Sequence, residues 1–364
     1  MKYMFIAQTI SQGGAERVIS VLSTALTEQG AETIIVKYFS TDGEYQFGEK
    51  VHVINLSGGD ISAYKKKNKF QLIQSLRKAI KENKPDYVIP FTLPVAELTA
   101  IATMGLSVNV FQSIRINPAV MPSQRWKKLI RDGLVYHSKC TFVQNEQQKE
   151  YFKPGYHDRI HVLSNPVSEE LFTVPPKVPN DEFVVCALGR LTDQKNYPLL
   201  IDAFTEAFAD IPSATLRIYG EGAKKESLQS YINERGMSSR IHMMGRTKDV
   251  KAVYQETDVY VLSSDWEGMP NALIEAMACH VFSISTDCPT GPADLIRNGS
   301  NGILVPVNDR RALKEALQKA YSMSYEDRIA MSSEGRETVR HKCSSLSIAA
   351  QMEEICRTAI KGIK

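Results

Sequence analysis

The chain has 364 residues, of which 43% are apolar and 23% charged, and a formal net charge of +3. A single hydrophobic core stops growing beyond roughly 250 to 300 residues, so this length predicts two domains. The composition excludes a mainly disordered chain, and no apolar run approaches the roughly 20 residues that a membrane-spanning helix needs.

The cysteines are scattered along the chain and form no CxxC pair: Cys140, Cys186, Cys279, Cys288, Cys343 and Cys356. In a chain of this size, that pattern is typical of reduced, mostly buried thiols. It indicates a cytoplasmic protein without a disulfide framework.

The chain opens with a predicted strand, turn, helix and strand. Residues Tyr3 to Gln8 form the first strand, and Val18, Leu22 and Leu26 recur at helical spacing after the turn. The turn contains Gly13 and Gly14, which let the backbone approach another group closely. A glycine pair is also the mark of an ordinary tight turn, and the sequence leaves both interpretations open.

The rest of the first half continues the alternation of strands and helices. A helix from Phe70 to Lys84 is followed by short apolar runs that predict strands at 87–89, 109–112, 140–144 and 160–163. Strands that alternate with helices predict a parallel, doubly wound sheet.

Prolines then interrupt the pattern, at Pro166, Pro175, Pro176 and Pro179. Because proline fits neither a central strand nor a helix interior, we place a domain boundary here. The predicted organisation is an N-terminal domain at 1–170, a linker at 171–182, a C-terminal domain at 183–342 and a C-terminal helix within 343–364.

The second half repeats the architecture of the first. Predicted strands lie at 183–188, 215–219, 241–244, 258–262 and 282–285, and polar or glycine-containing loops follow them. The predicted fold class is therefore α/β, with two Rossmann-like, doubly wound domains that face each other across a cleft. Clefts between domains are common binding sites.

The loops of the second half carry the chemistry. One supplies Gly189, Arg190 and Lys195, and another supplies Glu267 before a helix start at Gly268 to Leu273. Two cations and a helix N-terminus suit a diphosphate whose negative charge grows as it leaves carbon. Carboxylates suit sugar or ribose hydroxyls, although Glu267 or Glu275 alone is also typical of a helix dipole partner.

Two basic stretches lie in the first half, at 65–69 and 125–131. One interpretation is a solvated surface. The other is an anionic membrane surface or a lipid diphosphate, because Trp126, Leu129 and Ile130 are interleaved with the charges of the second stretch. Stacking aromatics are not interleaved in the manner of a nucleic-acid site, so no nucleic-acid partner is expected.

Taken together, these motifs resemble the retaining glycosyltransferases of family 4, which have the GT-B fold. The resemblance rests on Gly13 to Arg17, the Gly189-Arg190 and Lys195-Asn196 pairs, and Glu267 with Glu275 at E-x7-E spacing. It implies a nucleotide-sugar donor, which we expect to be a UDP-sugar, and it implies no metal or other cofactor.

The resemblance also implies roles for individual residues. Arg190 and Lys195 would hold the donor diphosphate, Glu267 the sugar hydroxyls and Glu275 the ribose. Gly13 and Gly14 would face the diphosphate from across the cleft, and the C-terminal helix within 343–364 would pack back on the N-terminal domain. The remaining donor-binding residues implied by the resemblance are Gly189, Asn196, Gly245, Arg246, Gly268, Met269, Pro270, Asn271, Ala272 and Leu273.

One position departs from the family pattern. Many members carry a histidine where this chain has Arg115, and an arginine cannot act as a base at neutral pH. We therefore assign Arg115 to substrate or phosphate binding and assign no general base. In the mechanism usually proposed for the family, the departing phosphate takes the acceptor proton.

The resulting hypothesis is a cytoplasmic glycosyltransferase, peripheral on the anionic inner face of the membrane, that transfers a hexose or N-acetylhexosamine to a lipid-linked saccharide. An NAD-dependent oxidoreductase would need GxGxxG after the first strand, which the chain lacks. The second alternative is a non-catalytic scaffold that binds a nucleotide sugar, although the intact Arg190, Lys195, Glu267 and Glu275 argue against it.

Overall fold

The computed structural model describes residues 1–11 and 13–361. Gln12 of the predicted glycine turn and residues 362–364 of the predicted C-terminal helix lie outside the described residues. The chain forms two compact units, which we call the N-terminal unit (Met1–Pro166 with Ser344–Lys364) and the C-terminal unit (Val167–Cys343).

The N-terminal unit is built on a parallel five-stranded sheet, whose strands read as short apolar runs because helices cover both faces. The strands are β1 (Lys2–Ala7), β2 (Glu32–Lys37), β3 (His52–Asn55), β4 (Tyr87–Pro90) and β5 (Asn109–Val110). Their order is β3-β2-β1-β4-β5. Strands β2 and β3 lie on one side of β1, and β4 and β5 lie on the other. The direction of winding therefore reverses between β1 and β4, which makes this position the switch point of the sheet.

A second, smaller parallel sheet follows in the same unit, with β6 (Gln112–Ser113), β7 (Thr141–Val143) and β8 (Ile160–Val162) in that order. The single strand predicted at 109–112 is wrong, because it is divided between the two sheets. The Phe111 N–H donates to Val88 O of β4, whereas the Gln112 N–H donates to Cys140 O beside β7. Phe111 itself is fully buried between them.

The N-terminal unit has six α-helices among its described residues before the final helix of the chain, and the third shows how capping residues set helix ends. They are α1 (Gly14–Glu28), α2 (Ile61–Lys65), α3 (Lys69–Asn83), α4 (Leu93–Thr103), α5 (Arg125–His137) and α6 (Glu146–Glu150). At the start of α3, Asn68 and Gln71 form a reciprocal capping box. The helix ends at Lys84, which adopts a left-handed conformation before Pro85.

The C-terminal unit repeats the winding with a six-stranded parallel sheet. Its strands are β9 (Phe183–Leu188), β10 (Ala214–Tyr219), β11 (Ile241–Gly245), β12 (Val259–Leu262), β13 (Phe282–Thr286) and β14 (Ile303–Val305). The order is β11-β10-β9-β12-β13-β14, so β9 and β12 form its switch point. The helices are α7 (Tyr197–Ala207), α8 (Lys225–Glu234), α9 (Val250–Gln255), α10 (Asn271–Ala278), α11 (Pro292–Leu295), α12 (Arg310–Ser322) and α13 (Tyr325–Cys343).

The proline-rich segment belongs to the C-terminal unit. Short 3-10 turns lie at Pro154–Arg159, Glu169–Thr173 and Asp193–Lys195. Beside the second of these, Leu171, Phe172 and Val174 are buried in the core of the C-terminal unit. The units divide at Pro166 and Val167 rather than at 170, and the first part of the predicted linker, residues 171–174, packs into that core, whereas Val178 is exposed.

The final helix, α14 (Ser345–Lys361), belongs to the N-terminal unit and packs against α1. Its backbone carbonyl at Cys356 accepts a hydrogen bond of 3.2 Å from the Tyr87 hydroxyl. This is the arrangement that the family resemblance implies for the C-terminal segment.

The predicted pair of doubly wound α/β units is confirmed, and so is the prediction of reduced, buried thiols, since all six cysteines are free and buried. Among the helices that the structure describes, none is both long enough and apolar enough to cross a membrane.

Candidate functional site

The carboxyl edge of the C-terminal sheet gathers the predicted charged residues. The loop after β9 carries Arg190 and Lys195, and the loop after β12 carries Glu267. Two hydrogen bonds join these loops, from the Asp265 N–H to Gln194 O at 2.9 Å and from Ser263 Oγ to Lys195 O at 2.8 Å. The site therefore lies at the switch point of the sheet, where open α/β sheets bind ligands.

Lys195 and Glu267, assigned from the sequence to different parts of a donor, form an ion pair. The Lys195 Nζ lies 2.6 Å from Glu267 Oε1, and the Ser264 hydroxyl donates to the same oxygen at 2.6 Å. Glu267 is 6% exposed. Because a carboxylate buried without a partner is costly, these bonds fix its position before any ligand binds.

The second oxygen of Glu267 retains capacity to accept hydrogen bonds. Its Oε2 receives one long bond of 3.3 Å from the amide of Gln194, which also donates to Trp266 O at 2.8 Å. A carboxylate oxygen has about two lone-pair directions, so Oε2 can accept further hydroxyl donors. This is the chemistry that recognition of a sugar requires.

Arg190 is exposed at the same edge, and no ion pair joins it to another described residue. It is thus a cation without a counter-charge of its own, in the same loop as a lysine that is already paired. An anionic group would gain from Arg190 without disrupting a partner.

The backbone around Glu267 is held by the loop after β13, a role that the sequence did not suggest. The Glu267 N–H donates to Pro289 O at 2.8 Å, and the Thr290 hydroxyl donates to Gly268 O at 2.7 Å. A Cβ added at Gly291, where φ is +100°, would lie 3.0 Å from Gly268 O. The tight packing explains why glycine is required here.

Gly189 has a similar steric role on the other loop. A Cβ at this position would lie 2.9 Å from Lys195 Cε and 3.1 Å from the Tyr197 hydroxyl. Gly189 therefore makes room for the lysine side chain that reaches Glu267.

Asn196 does not present its amide to solvent. Its Nδ2 donates to Asp265 Oδ1 at 2.8 Å and to Asn308 Oδ1 at 2.6 Å, and its Oδ1 caps α7. With φ at 44°, it occupies a left-handed turn that asparagine tolerates well. Asn196 therefore links its own loop by hydrogen bonds to the loops that contain Asp265 and Asn308.

The helix start predicted at Gly268 to Leu273 is α10, which begins at Asn271 after Pro270. No side chain caps its N-terminus among the described residues. Met269 and Leu273 point into the hydrophobic core, with exposures of 6% and 0%. Met269 and Leu273 can thus contribute only through their backbone, whereas the Asn271 side chain is partly exposed.

Glu275 and the pair Gly245-Arg246 flank this centre. Glu275 is 6% exposed within α10, and its charge contributes, after burial, to raising the pKa of Tyr254 well above the ordinary tyrosine value. Arg246 is exposed at the end of β11, and the Gly220 N–H donates to Gly245 O at 2.7 Å. The structure places Gly245 and Arg246 at the carboxyl edge of the sheet and Glu275 one turn into the helix that starts there.

Cys288 lies near Glu267 but is not a nucleophile. Burial, and secondarily the charge of Glu267, raise the pKa of its thiol to about 12. The thiol is therefore protonated at neutral pH and chemically inert. Among the residues that the structure describes, no group of three His, Cys, Asp or Glu side chains is arranged to hold a metal ion.

In the N-terminal unit, the predicted glycine turn lies at the start of α1, where Gly13 is the N-cap residue. A Cβ at Gly13 would lie 1.8 Å from Glu16 Oε2. The close approach that this glycine permits is therefore with the chain's own carboxylate, which lies where the α1 dipole favours negative charge.

Arg115 follows β6 and is held entirely by neutral groups. It donates to Ser113 Oγ at 2.8 Å, to Leu163 O at 3.0 Å and to Asn165 Oδ1 at 3.2 Å, and its guanidinium lies over the Phe91 ring. Burial lowers its pKa to about 10, so it stays charged at neutral pH. No carboxylate among the described residues pairs with this charge.

The two basic stretches contain both exposed residues and a buried one. Lys65, Lys66 and Lys69 are exposed, as are Arg125, Trp126 (58%) and Leu129 (72%). Arg131 is an exception to the predicted surface, since it is 3% exposed and donates to Pro118 O and Met121 O at 2.7 Å. A buried guanidinium with these partners holds the preceding loop in place.

Comparison with known proteins connects both halves to one class of enzyme. Residues 12–171 match the family described as Glycosyltransferase Family 4, and residues 169–338 match the family described as Glycosyl transferases group 1.

One curated relative spans almost the whole chain. It is the Campylobacter jejuni GalNAc-alpha-(1->4)-GalNAc-alpha-(1->3)-diNAcBac-PP-undecaprenol alpha-1,4-N-acetyl-D-galactosaminyltransferase. The two sequences are 29% identical over 324 residues, which cover 87% of this chain and 88% of the relative.

Solved structures share the fold at lower identity. A sucrose-phosphate synthase from Thermosynechococcus elongatus gives a TM-score of 0.83 at 17% identity, with 100% of both chains covered. Anabaena Alr3699/HepE in complex with UDP-glucose gives 0.80 at 17% identity, with 98% of this chain and 100% of the other covered. At such identities the likeness shows the fold alone, which is GT-B.

Proposed function

The chain belongs to the GT-B glycosyltransferases, with a family 4 N-terminal half and a group 1 C-terminal half, and we propose that it transfers a hexose or N-acetylhexosamine from a UDP-sugar to a lipid-linked saccharide. The observation that carries this proposal is the ion pair of Lys195 with Glu267, with the unpaired Arg190 in the same loop as Lys195. It supplies both a carboxylate for hydroxyls and cations for a diphosphate at one switch point.

The proposed reaction breaks the bond between the anomeric carbon and the diphosphate of the donor. Arg190 and Lys195 offset the charge that appears on the departing diphosphate, and Glu267 Oε2 accepts hydroxyls of the sugar. The acceptor hydroxyl forms the new bond to the anomeric carbon and gives its proton to the departing phosphate. Attack on the face that the phosphate leaves retains the anomeric configuration.

Arg115 contributes a third cation in this proposal, in addition to Arg190 and Lys195. Its three neutral acceptors orient the guanidinium but do not neutralise it. Because a partly buried cation without a counter-ion costs free energy, a substrate phosphate that approaches Arg115 would be stabilised. This role needs no proton transfer by a protein side chain.

The acceptor and donor classes draw support from similar proteins. The name of the Campylobacter jejuni relative describes an undecaprenol-PP-linked acceptor and an N-acetyl-D-galactosaminyl group. The Anabaena neighbour was solved in complex with UDP-glucose. We therefore propose a polyprenyl-diphosphate saccharide as acceptor and a UDP-sugar as donor, in the synthesis of a cell-surface polysaccharide or glycan.

A lipid-linked acceptor calls for a membrane contact, and α5 offers one. Trp126 and Leu129 expose 58% and 72% of their surface, with Arg125 exposed beside them and the Lys127 ammonium over the Trp126 ring. Apolar side chains among cations suit an anionic lipid surface. We propose that the protein binds peripherally to the inner face of the cell membrane through this helix.

The proposal is tested by incubating the protein with UDP-N-acetylgalactosamine, UDP-N-acetylglucosamine, UDP-galactose and UDP-glucose. Each is combined with short-chain polyprenyl-diphosphate sugars. Mass spectrometry should detect an acceptor enlarged by one sugar, with release of UDP, and NMR of the product should show an α-linkage from an α-donor. Failure of every donor would refute the activity, and a β-linked product would refute retention.

A further inference from the structure

A buried chain of side-chain amides ends on the guanidinium of Arg115. Gln148 lies in α6, Gln144 directly follows β7, and Asn165 lies shortly after β8. Their exposed fractions are 0%, 2% and 3%. Because β6, β7 and β8 are neighbours in one parallel sheet, the residues that follow these strands meet at its carboxyl edge, where Arg115 also lies.

Each amide of this chain donates a hydrogen bond to the next. Gln148 Nε2 donates to Gln144 Oε1 at 3.0 Å, and Gln144 Nε2 donates to Asn165 Oδ1 at 2.9 Å. Arg115 Nη1 donates to the same Asn165 oxygen at 3.2 Å. The amide chain and the guanidinium therefore converge on one acceptor, Asn165 Oδ1.

A backbone group sets the direction of the whole chain. The Gln144 N–H, which can only donate, donates to Gln148 Oε1 at 3.0 Å. Gln148 therefore turns its Nε2 toward Gln144, and Gln144 in turn presents its Nε2 to Asn165. A flipped Asn165 amide would set its own N–H groups against two donors, so its oxygen faces Arg115. Buried hydrogen bonds in series also polarise one another, which strengthens acceptance at that oxygen.

Arg115 keeps donors for a ligand. Its Nε and Nη1 donate to Ser113 Oγ, Leu163 O and Asn165 Oδ1, whereas its Nη2 makes no hydrogen bond within the described residues. The five N–H groups of a guanidinium lie in one plane, so fixing Nε and Nη1 also fixes the direction of Nη2. Uncharged acceptors thus orient the group and leave its positive charge available to an anion.

We propose that Asn165 is a positioning residue for the reaction, which together with Gln144 and Gln148 directs the Arg115 guanidinium toward a substrate phosphate without neutralising it. The inference rests on the proposed function, because it presumes that Arg115 binds a phosphate of a substrate. It adds that the reaction requires the neutrality of the Asn165 amide as well as its hydrogen bond.

Two substitutions of Asn165 separate charge from hydrogen bonding. In Asn165→Asp the carboxylate still accepts from Arg115 and Gln144 but neutralises the guanidinium, so kcat/KM should fall by about 10- to 100-fold. Asn165→Ala removes the acceptor and adds no charge, so the fall should be only about 3- to 10-fold, the value of one lost hydrogen bond. A residue that only supported the fold would tolerate aspartate better than alanine.

Release of UDP measures these effects. The probes are UDP-sugars and short-chain polyprenyl-diphosphate sugars, in the combination that the wild-type protein uses best, and thermal unfolding shows that each variant is folded at the assay temperature. A folded Asn165→Asp variant with a kcat/KM equal to that of the wild type, or higher than that of Asn165→Ala, would overturn the proposal.

A double-mutant cycle shows whether Asn165 acts through Arg115. If it does, Asn165→Ala should change kcat/KM by less than about twofold in a protein that already carries Arg115→Gln. Losses that multiply would overturn the proposal, because Asn165 would then act independently of the guanidinium.

Asn55→Asp is the matched control. Asn55 is half-buried at the end of β3 in the same unit, and its side-chain hydrogen bonds go to Ser40 and to residues 57–59, none of which is charged. This variant should keep the kcat/KM of the wild type. Equal losses in Asn55→Asp and Asn165→Asp would overturn the proposal, since a negative charge elsewhere in the unit would then have the same effect.

The wild-type protein separates failure of this inference from failure of the proposed function. Absence of turnover with every probe would refute the proposed function and, with it, the inference. Turnover by the wild-type protein that Asn165→Asp leaves unchanged would refute the inference alone.

Discussion

The two units differ in how the polar groups that follow their strands are paired. In the C-terminal unit, the loops after β9, β12 and β13 are joined by hydrogen bonds, and Lys195 and Glu267 neutralise each other at 2.6 Å. In the N-terminal unit, Arg115 is bound only by neutral oxygens, and Tyr38 has a hydroxyl without a partner among the described residues.

This difference shows which edge is complete without a substrate. A paired and cross-linked edge is preorganised, so a ligand gains from it without first ordering side chains. An edge with an uncompensated, partly buried cation gains free energy when an anionic ligand pairs with it. The C-terminal edge suits a reaction centre, and the N-terminal edge suits recognition of a variable partner.

The Glu267→Gln substitution is the strongest test of the preorganised ion pair in the C-terminal unit. The amide keeps the shape of the side chain but leaves Lys195 without its counter-charge and weakens acceptance of sugar hydroxyls. We expect kcat/KM to fall by about 10²- to 10³-fold, the scale of losing one preorganised electrostatic contact in an active site. Steady-state release of UDP measures the effect, and thermal unfolding shows how much of it comes from lost stability.

Glu182→Gln is the control for that experiment. Glu182 pairs with Arg217 at 2.9 Å in the same unit but precedes β9, at the amino end of the strand. An ion pair this exposed contributes less than about 1 kcal/mol, and its loss should not change turnover. Equal losses of activity in the two variants would mean that Glu267 acts on folding rather than on the reaction.

The Arg115→Gln substitution tests the uncompensated cation in the N-terminal unit. The amide can still donate to a neighbouring oxygen but carries no charge, so kcat/KM should fall by about 10- to 100-fold if a substrate phosphate uses Arg115. The stability cost should be small. Because burial lowers the pKa of Arg115 to about 10, the folded protein disfavours its charged form.

The sign of the pH effect follows from that shift. The unfolded chain binds the Arg115 proton more tightly, so the cost of the charge is fully present below about pH 10 and declines as the pH rises above it. At pH 7 the substitution removes this cost while it loses hydrogen bonds, and we expect the free energy of unfolding to stay within about 1 kcal/mol of wild type. Denaturant titration measures it.

Arg77→Gln is the matched control, because Arg77 lies in the same unit and its Nη1 also donates to carbonyl oxygens, those of Ala102 and Met104, at 2.8 Å. It should retain activity. Loss of activity in both variants would assign Arg115 a structural role.

The sequence predicted the winding because strand periodicity and loop composition are local. It also predicted that Arg190, Lys195 and Glu267 lie in loops at one edge of the C-terminal sheet, which the structure shows. It did not predict that Lys195 and Glu267 pair, because that contact joins residues 72 positions apart. Nor did it suggest Ser264, Gln194 or Thr290, since serine, glutamine and threonine in loops are too common to signal a role.

The other differences have the same physical origin. Burial of Arg131 and the core position of Met269 depend on what other segments place beside them, and neither is visible in the local pattern. The division of the predicted strand at 109–112 likewise depends on which strand lies next to each half. Residues 171–182 contain prolines, but the apolar side chains before them decide where that segment packs.

The smallest expected effect concerns the surface of α5. Arg131 is buried and Lys128 donates to Ala119 O, so the exposed apolar residues should contribute more to membrane binding than the count of basic residues suggests. Replacing both Trp126 and Leu129 with serine should weaken binding to liposomes that contain anionic lipid by about tenfold, because each buried apolar side chain contributes to partitioning. Sedimentation with vesicles measures the change.

Val178→Ser separates this effect from a general loss of apolar surface. Val178 is 79% exposed but lies in the C-terminal unit, so its replacement should leave liposome binding unchanged. Equal weakening in both variants would mean that binding is non-specific. Unchanged binding in the Trp126 and Leu129 variant would instead favour the solvated-surface interpretation of α5.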